Sequence, residues 1–220
     1  MDEILNYYTK LKGIFLDEKE LKKSALKLMG GYHIVKGDFH YQIAEIEFYY
    51  YSAQHPDIIT YPRVGLDKKW FFHQSGVDIT INSNNEEFGG ILIRSIIRKD
   101  DDTKICGPQK CVDELFNFID IQGRDISEIP QIEPTENNDV EVVSTQRYIP
   151  FYIRNKEVTE QLKMVNEEKE AYKRIINNKV KKKFDSIINK STLSVTATED
   201  VFRKYLSAKY RFYLKLVVSD

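Results

Sequence analysis

Polar and apolar positions alternate most sharply in residues 41–52, YQIAEIEFYYYS, and this predicts a strand. Successive strand side chains point to opposite sides, so Ile46, Phe48 and Tyr50 share one face and Glu45, Glu47 and Tyr49 the other. Residues 17–29 predict a helix instead. Asp17 stands at the N-cap position with Glu20 three residues on, Leu21, Ala25 and Leu28 form a stripe, and Gly30-Gly31 marks the end. VDITIN (77–82) and GILIRSII (90–97) read as two strands of a hairpin across a turn-rich loop. Asp78, Thr80 and Asn82 share one face of the first of these, and Val77, Ile79 and Ile81 share the other. Gly107-Pro108 opens a helix with Val112, Leu115, Phe116 and Ile119 on one side.

Residues 125–139, DISEIPQIEPTENND, carry two prolines, several acids and no apolar period, which predicts a loop or linker. RYIPFYIR (147–154) reads as a short strand-like piece. Residues 157–190 form a long, charged helical pattern with a thin apolar stripe (Val158, Leu162, Val165) and a basic block, Lys179 to Lys183. A shorter helix around 198–209 leads into YRFYLKLVV, a last strand. The resulting division is an α+β body over 1–154, with the acidic loop at about 125–139, and a charged helical extension over 155–220 packed on that body.

Composition narrows the class. The 220 residues are 41% hydrophobic and 30% charged, ordinary for a soluble globular chain and unlike collagen, a membrane-spanning protein or a disordered one. Apolar runs such as Ile91-Leu92-Ile93 fall far short of the roughly 18 residues of a membrane helix. The first residues, MDEILNYYTKLKG, lack the apolar core of a secretory signal. Two cysteines make no disulfide framework, so a reducing, cytoplasmic setting is expected. The net charge of −1 hides an asymmetry: residues 1–150 carry 17 basic and 25 acidic side chains, residues 151–220 carry 16 and 9. A basic tail on an acidic body can contact that body or nucleic acid.

Candidate chemistry begins on the strand at 43–51. Glu45 and Glu47, two residues apart on one face, lie about 7 Å from each other. Burial can turn one such carboxylate into a general base with the other as partner; the alternative is a solvated strand face. Arg94 interrupts an apolar run, and a guanidinium in a buried-looking strand has a carboxylate partner, either an active-site acid or a structural ion pair. His33, His40, His55 and His73 have no zinc-ligand spacing with Cys106 and Cys111, so no metal is expected. Dinucleotide, P-loop and nucleophile-elbow motifs do not occur.

Taken in order, these pieces resemble the alkyladenine (3-methyladenine) DNA glycosylase family over roughly residues 20–120. Leu28-Met29-Gly30 and His33-Ile34-Val35 resemble its helix end and following strand. Ile43-Ala44-Glu45-Ile46-Glu47-Phe48-Tyr49 resembles its Ile-Val-Glu-Thr-Glu-Ala-Tyr strand. His55, Pro62-Arg63, the aromatic run Trp70-Phe71-Phe72 leading to Gly76, and Asn82 beyond it follow in the family's order. So do Leu92-Ile93-Arg94-Ser95 and Gly107-Pro108-Gln109-Lys110.

The resemblance implies a curved, mostly antiparallel sheet with flanking helices, similar to the glycosylase fold, plus the C-terminal helical extension. It implies Glu47 as the catalytic base, Arg94 as the arginine that orients it, and a base pocket formed by Tyr49, His55, Phe72, His73 and Asn82. The reaction implied is hydrolysis of the N-glycosidic bond of a damaged or modified purine nucleotide, without cofactor or metal, leaving an abasic site. Ser75 stands where the family inserts a tyrosine into the DNA stack, and the segment from Arg63 to Gly76 is short. Two other readings use the same fold. One is a non-catalytic module binding single-stranded nucleic acid, or a protein partner or second copy through 157–190. The other is an enzyme acting on free nucleosides or related glycosides.

Overall fold

A computed structural model describes residues 17–63, 65, 69–74, 76–81, 83–116, 129–136, 139–147, 178, 181–182, 184–186 and 198–215. Helix α1 (Glu18–Gly31) starts where Asp17 accepts a hydrogen bond from the Glu20 backbone N–H at 2.8 Å. Its stripe of Leu21, Ala25, Leu28 and Met29 is buried. Gly30 and Gly31 stay helical rather than ending the helix in a left-handed cap, and the chain passes directly into strand β1 (Tyr32–Lys36). Gly37, with φ +55, then makes the tight two-residue turn into β2 (Phe39–Tyr51), because a side chain there would strain the left-handed backbone.

After β2 come β3 (Trp70–His73), β4 (Gly76–Ile81), β5 (Phe88–Arg98) and β6 (Lys104–Cys106), followed by helix α2 (Pro108–Phe116). Among the described residues, β7 (Gln131–Pro134), β8 (Val142–Thr145), helix α3 (Glu199–Ser207) and β9 (Arg211–Leu214) follow. The result is an α+β protein whose antiparallel sheet curls strongly into a half-barrel. The order β3-β4-β5-β2-β1-β7 forms its main path, with β6 beside β5 and the β9-β8 pair beside β2.

The curl follows from the two longest strands. β2 pairs with β5 along one edge; on the other edge its first half pairs with β1 and Glu45–Glu47 pair with β9. β5 likewise changes neighbour from β4 to β6 along its length. Between β2 and β5 the register slips at Ala44 and slips back at Arg94, so each strand carries one extra residue. Such bulges sharpen local twist and re-aim side chains.

Ile46, Phe48 and Tyr50 of β2 meet Ile79 and Ile81 of β4 and α1 in the main core. Each fully buried side chain of this kind contributes about 1.5–3 kcal/mol. Phe202, Tyr205 and Leu206 of α3 are buried as well, and Thr198 caps that helix. Phe184, in the charged stretch, packs at 5.5 Å from Phe202. The described residues there are helical, and Lys181 and Lys182 are exposed; Val158, Leu162, Val165 and the rest of 157–190 lie outside the described residues.

Two stretches differ from the sequence expectation. The segment expected to be a loop contains β7, whose residues Gln131–Pro134 pair with Tyr32–Val35 along the edge of β1. Backbone hydrogen bonds to an open sheet edge hold it, with only Ile132 half-buried, so no apolar alternation marks it. Of RYIPFYIR only Arg147 is described, and it follows a short strand, β8, that the sequence did not suggest. Among the described residues no helix is long and apolar enough to cross a membrane.

Candidate active site on the polar face of the sheet

Cross-strand register assigns the non-core face of the sheet. Glu47 lies opposite Leu92, which lies opposite Asp78; Tyr49 lies opposite Gly90, which lies opposite Thr80. On the far side of β2, Arg211 lies opposite Glu47. These positions therefore share one face, and ionisable and hydroxyl groups dominate it. The face is not solvated: Glu47 is 2% exposed, and Asp78 and Thr80 are fully buried.

Glu47 is the centre. Its Oε2 accepts a hydrogen bond from Arg94 Nη1 at 2.7 Å, and its Oε1 accepts one from the Tyr49 hydroxyl at 2.5 Å. Arg147 Nε stands 4.0 Å from the same Oε1. The bulge at Arg94 explains how a residue in an apolar run reaches this carboxylate. It lets Arg94 and Ser95 serve the same face, and Ser95 Oγ donates to Glu45 Oε2 at 2.7 Å. Glu45 also accepts from Arg211 Nε and lies 3.5 Å from Arg94 Nε. Burial, then the Glu47 charge, raises the Tyr49 hydroxyl pKa well above that of an ordinary tyrosine, so it stays a hydrogen-bond donor.

A second layer braces this centre. Arg147 is buried and ion-paired with Asp57 at 2.7 Å, and it donates to the Phe48 carbonyl of β2. Its guanidinium lies 4.5 Å over the Tyr49 ring and 4.9 Å over Tyr210. Burial works against the Arg147 charge, but Asp57, Tyr49 and Glu47 outweigh it and raise the pKa above the usual arginine value. Farther along the face, Arg63 and Asp78 form a buried ion pair, and His73 Nε2 is 2.9 Å from Asp78 Oδ1. Arg63 lies against Gly90: a Cβ there would stand 2.9 Å from Arg63 Cζ and 2.9 Å from Asp78 Oδ2. Phe71 covers the Arg63 guanidinium at 4.9 Å.

Of the residues singled out from sequence, Glu47, Arg94 and Tyr49 come together. His73 joins the neighbouring Asp78–Arg63 group. His55 does not face Glu47: its ring packs at 4.6 Å from Tyr205, 5.7 Å from Tyr210 and 5.9 Å from Tyr50. Burial lowers its pKa to about 4, which keeps it neutral. Phe72 points away from the Asp78 face, because strand alternation gives that face Phe71; Phe72 is 53% exposed and meets Phe116 edge-on. Asn82 and Ser75 lie outside the described residues.

Asp57 and Arg147 were invisible in the sequence, since they meet across 90 residues of chain. Asp78 carried a signal, its place on the polar face of VDITIN. Among the described residues no group of three or more His, Cys, Asp or Glu is placed to hold a metal ion. No family model and no curated protein matches the sequence, so the glycosylase reading stands on these residues alone.

Proposed function

We propose that the protein hydrolyses the N-glycosidic bond of a damaged or modified purine nucleotide, with Glu47 activating water. One observation carries the reading: a carboxylate almost sealed from solvent is held from two sides by Arg94 and Tyr49 on the polar face of a curled sheet. A carboxylate offers about four lone-pair sites. Two are taken here, which leaves acceptor capacity for a water.

In the proposed reaction Glu47 takes a proton from water as its oxygen attacks the sugar C1′. The bond from C1′ to the base nitrogen breaks, the base leaves with the bonding electron pair, and the proton taken by Glu47 passes through solvent to the departed base, which regenerates the carboxylate. Positive charge develops on the sugar in an oxocarbenium-like transition state, which a nearby ionised carboxylate stabilises. Arg94 orients Glu47 through the hydrogen bond from its Nη1 to Oε2. The nucleotide enters extrahelical or single-stranded, because unstacking a base costs a few kcal/mol.

A second reading has its own observation. Tyr61 and Phe72 expose 46% and 53% of their surface, and Tyr61 stands 5.1 Å from His73. Exposed rings are stacking platforms for single strands, which supports a non-catalytic binding module.

A single-turnover base-release assay separates the two. Oligonucleotides carrying hypoxanthine, ethenoadenine or 3-methyladenine, single- and double-stranded, are compared between wild type and Glu47→Gln. The expected result is release by wild type that disappears in the variant. No release from any substrate, with equal binding by both proteins, would replace the enzyme with the binding module.

A further inference from the structure

Arg94 stands between two carboxylates. Its Nη1 is 2.7 Å from Glu47 Oε2 and its Nε is 3.5 Å from Glu45 Oε1. One guanidinium facing two anions is pulled both ways, and only its contact with Glu47 bears on the proposed chemistry. What settles the competition comes from the other side of β2. Arg211, on β9, lies directly opposite Glu47, yet its Nε bonds Glu45 instead. The two strands flanking β2 thus each supply one arginine, and the two arginines divide the two carboxylates between them.

We propose that Arg211 is a positioning residue: by holding Glu45 it commits Arg94 to Glu47. The kinetic consequence rests on the reading of Glu47 given above, whereas the division of the carboxylates does not. Removing Arg211 leaves Glu45 with Arg94 as its one neighbouring cation, while Glu47 has Arg94 and, at 4.0 Å, Arg147. Glu45, Arg94 and Arg211 keep only 14–16% of their side-chain surface in solvent, so water screens the imbalance poorly. Arg94 then turns toward Glu45, whose Oε1 is already within ion-pair range. Ser95 donates to Glu45 but carries no charge and cannot replace Arg211.

The test compares wild type, Arg211→Gln, Arg211→Lys and the double variant Glu45→Gln/Arg211→Gln by two readouts. The first is single-turnover base release. Arg211→Gln is expected to lose about tenfold, in the usual range for coupled neighbours. Arg211→Lys, which keeps the charge, is expected to lose less. The double variant is expected to recover most of the loss, because the competing carboxylate is gone. A merely structural Arg211 would make the double variant as slow as Arg211→Gln or slower.

The second readout is the side-chain 15N spectrum of Arg94, which reports its hydrogen bonding whether or not the protein is an enzyme. It is expected to change in Arg211→Gln and return in the double variant. If wild type releases no base, the proposed function fails and this readout alone decides the positioning role. Arg94 signals that are unchanged in Arg211→Gln, or that do not return in the double variant, overturn the proposal. Should Arg211→Gln not fold, the double variant leaves no uncompensated carboxylate and takes its place: Arg94 held as in wild type supports the proposal, and Arg94 displaced overturns it.

Discussion

Arg94 and Glu47 form an ion pair at 2.7 Å across neighbouring strands, and the pair depends on a bulge that places Arg94 as an extra residue on β5. Glu47 keeps 3% of its side-chain surface in solvent and Arg94 keeps 16%. Removing the arginine leaves a buried carboxylate with its main cation gone. Arg94→Ala is expected to cost about 3 kcal/mol in equilibrium urea unfolding. Under the proposed function it is also expected to slow base release about 10²-fold, as loss of an electrostatic partner does. Arg94→Lys should restore part of the stability, because it keeps the charge without the planar fork. An Arg94→Ala protein as stable as wild type would mean that the pair contributes nothing to folding.

Tyr49 donates its hydroxyl proton to Glu47, and burial beside that carboxylate opposes its ionisation. Tyr49→Phe is expected to destabilise the fold by about 2 kcal/mol, since Glu47 loses a donor while the ring under Arg147 remains. The same variant is expected to leave the tyrosinate absorbance developed up to about pH 11 unchanged, as ordinary tyrosines ionise near pH 10 and Tyr49 does not. A loss of one tyrosine's amplitude in the variant would place Tyr49 among the accessible phenols.

Gly90 is a contact requirement. The Arg63–Asp78 pair lies where a Cβ would be, 2.9 Å from both Arg63 Cζ and Asp78 Oδ2. Gly90→Ala is expected to cost about 1–3 kcal/mol by overpacking. Both groups are buried and cannot swing into solvent, so the strain has no easy outlet. Urea unfolding measures it, and a cost under half a kcal/mol would mean that the pair relaxes freely.

His55 gives the protein an acid sensitivity of known sign. Burial holds its folded pKa at about 4 against an ordinary 6.5. Between those values the unfolded chain binds the additional proton. The stability this histidine contributes is therefore fully present above pH 6.5 and is lost as pH falls toward 4. The whole effect is roughly 3 kcal/mol. His55→Phe is expected to flatten the slope of unfolding free energy against pH in this window. Equal slopes in the two proteins would mean that another group titrates there.

Much of the fold was legible along the chain. β2, the β4–β5 hairpin, the cap Asp17 and the helix opened by Pro108 follow from period-two alternation and end-residue chemistry, which act over a few residues. The contrast between Ile46-Phe48-Tyr50 and Glu45-Glu47-Tyr49 was legible for the same reason. β7 was not, since an edge strand held by backbone bonds imposes little side-chain pattern. Phe72 was assigned to the pocket from its order in the sequence. One step of strand alternation gives the place beside Arg63 to Phe71 instead.

The sequence by itself determined which residues of Glu45–Tyr50 on β2 and Val77–Ile81 on β4 share a face, because strand geometry is local and repeats every two residues. The resemblance already implied Arg94 beside Glu47, and only the tertiary structure decided the other pairs: Arg211 with Glu45, Arg147 with Asp57 and Arg63 with Asp78. The geometry at Glu45 and Glu47 rests on a register slip at Ala44 and Arg94, and on a C-terminal strand that returns beside β2 after more than 150 residues. Register and chain return are properties of the closed sheet, set by how its strands pack, and no local run of residues encodes them.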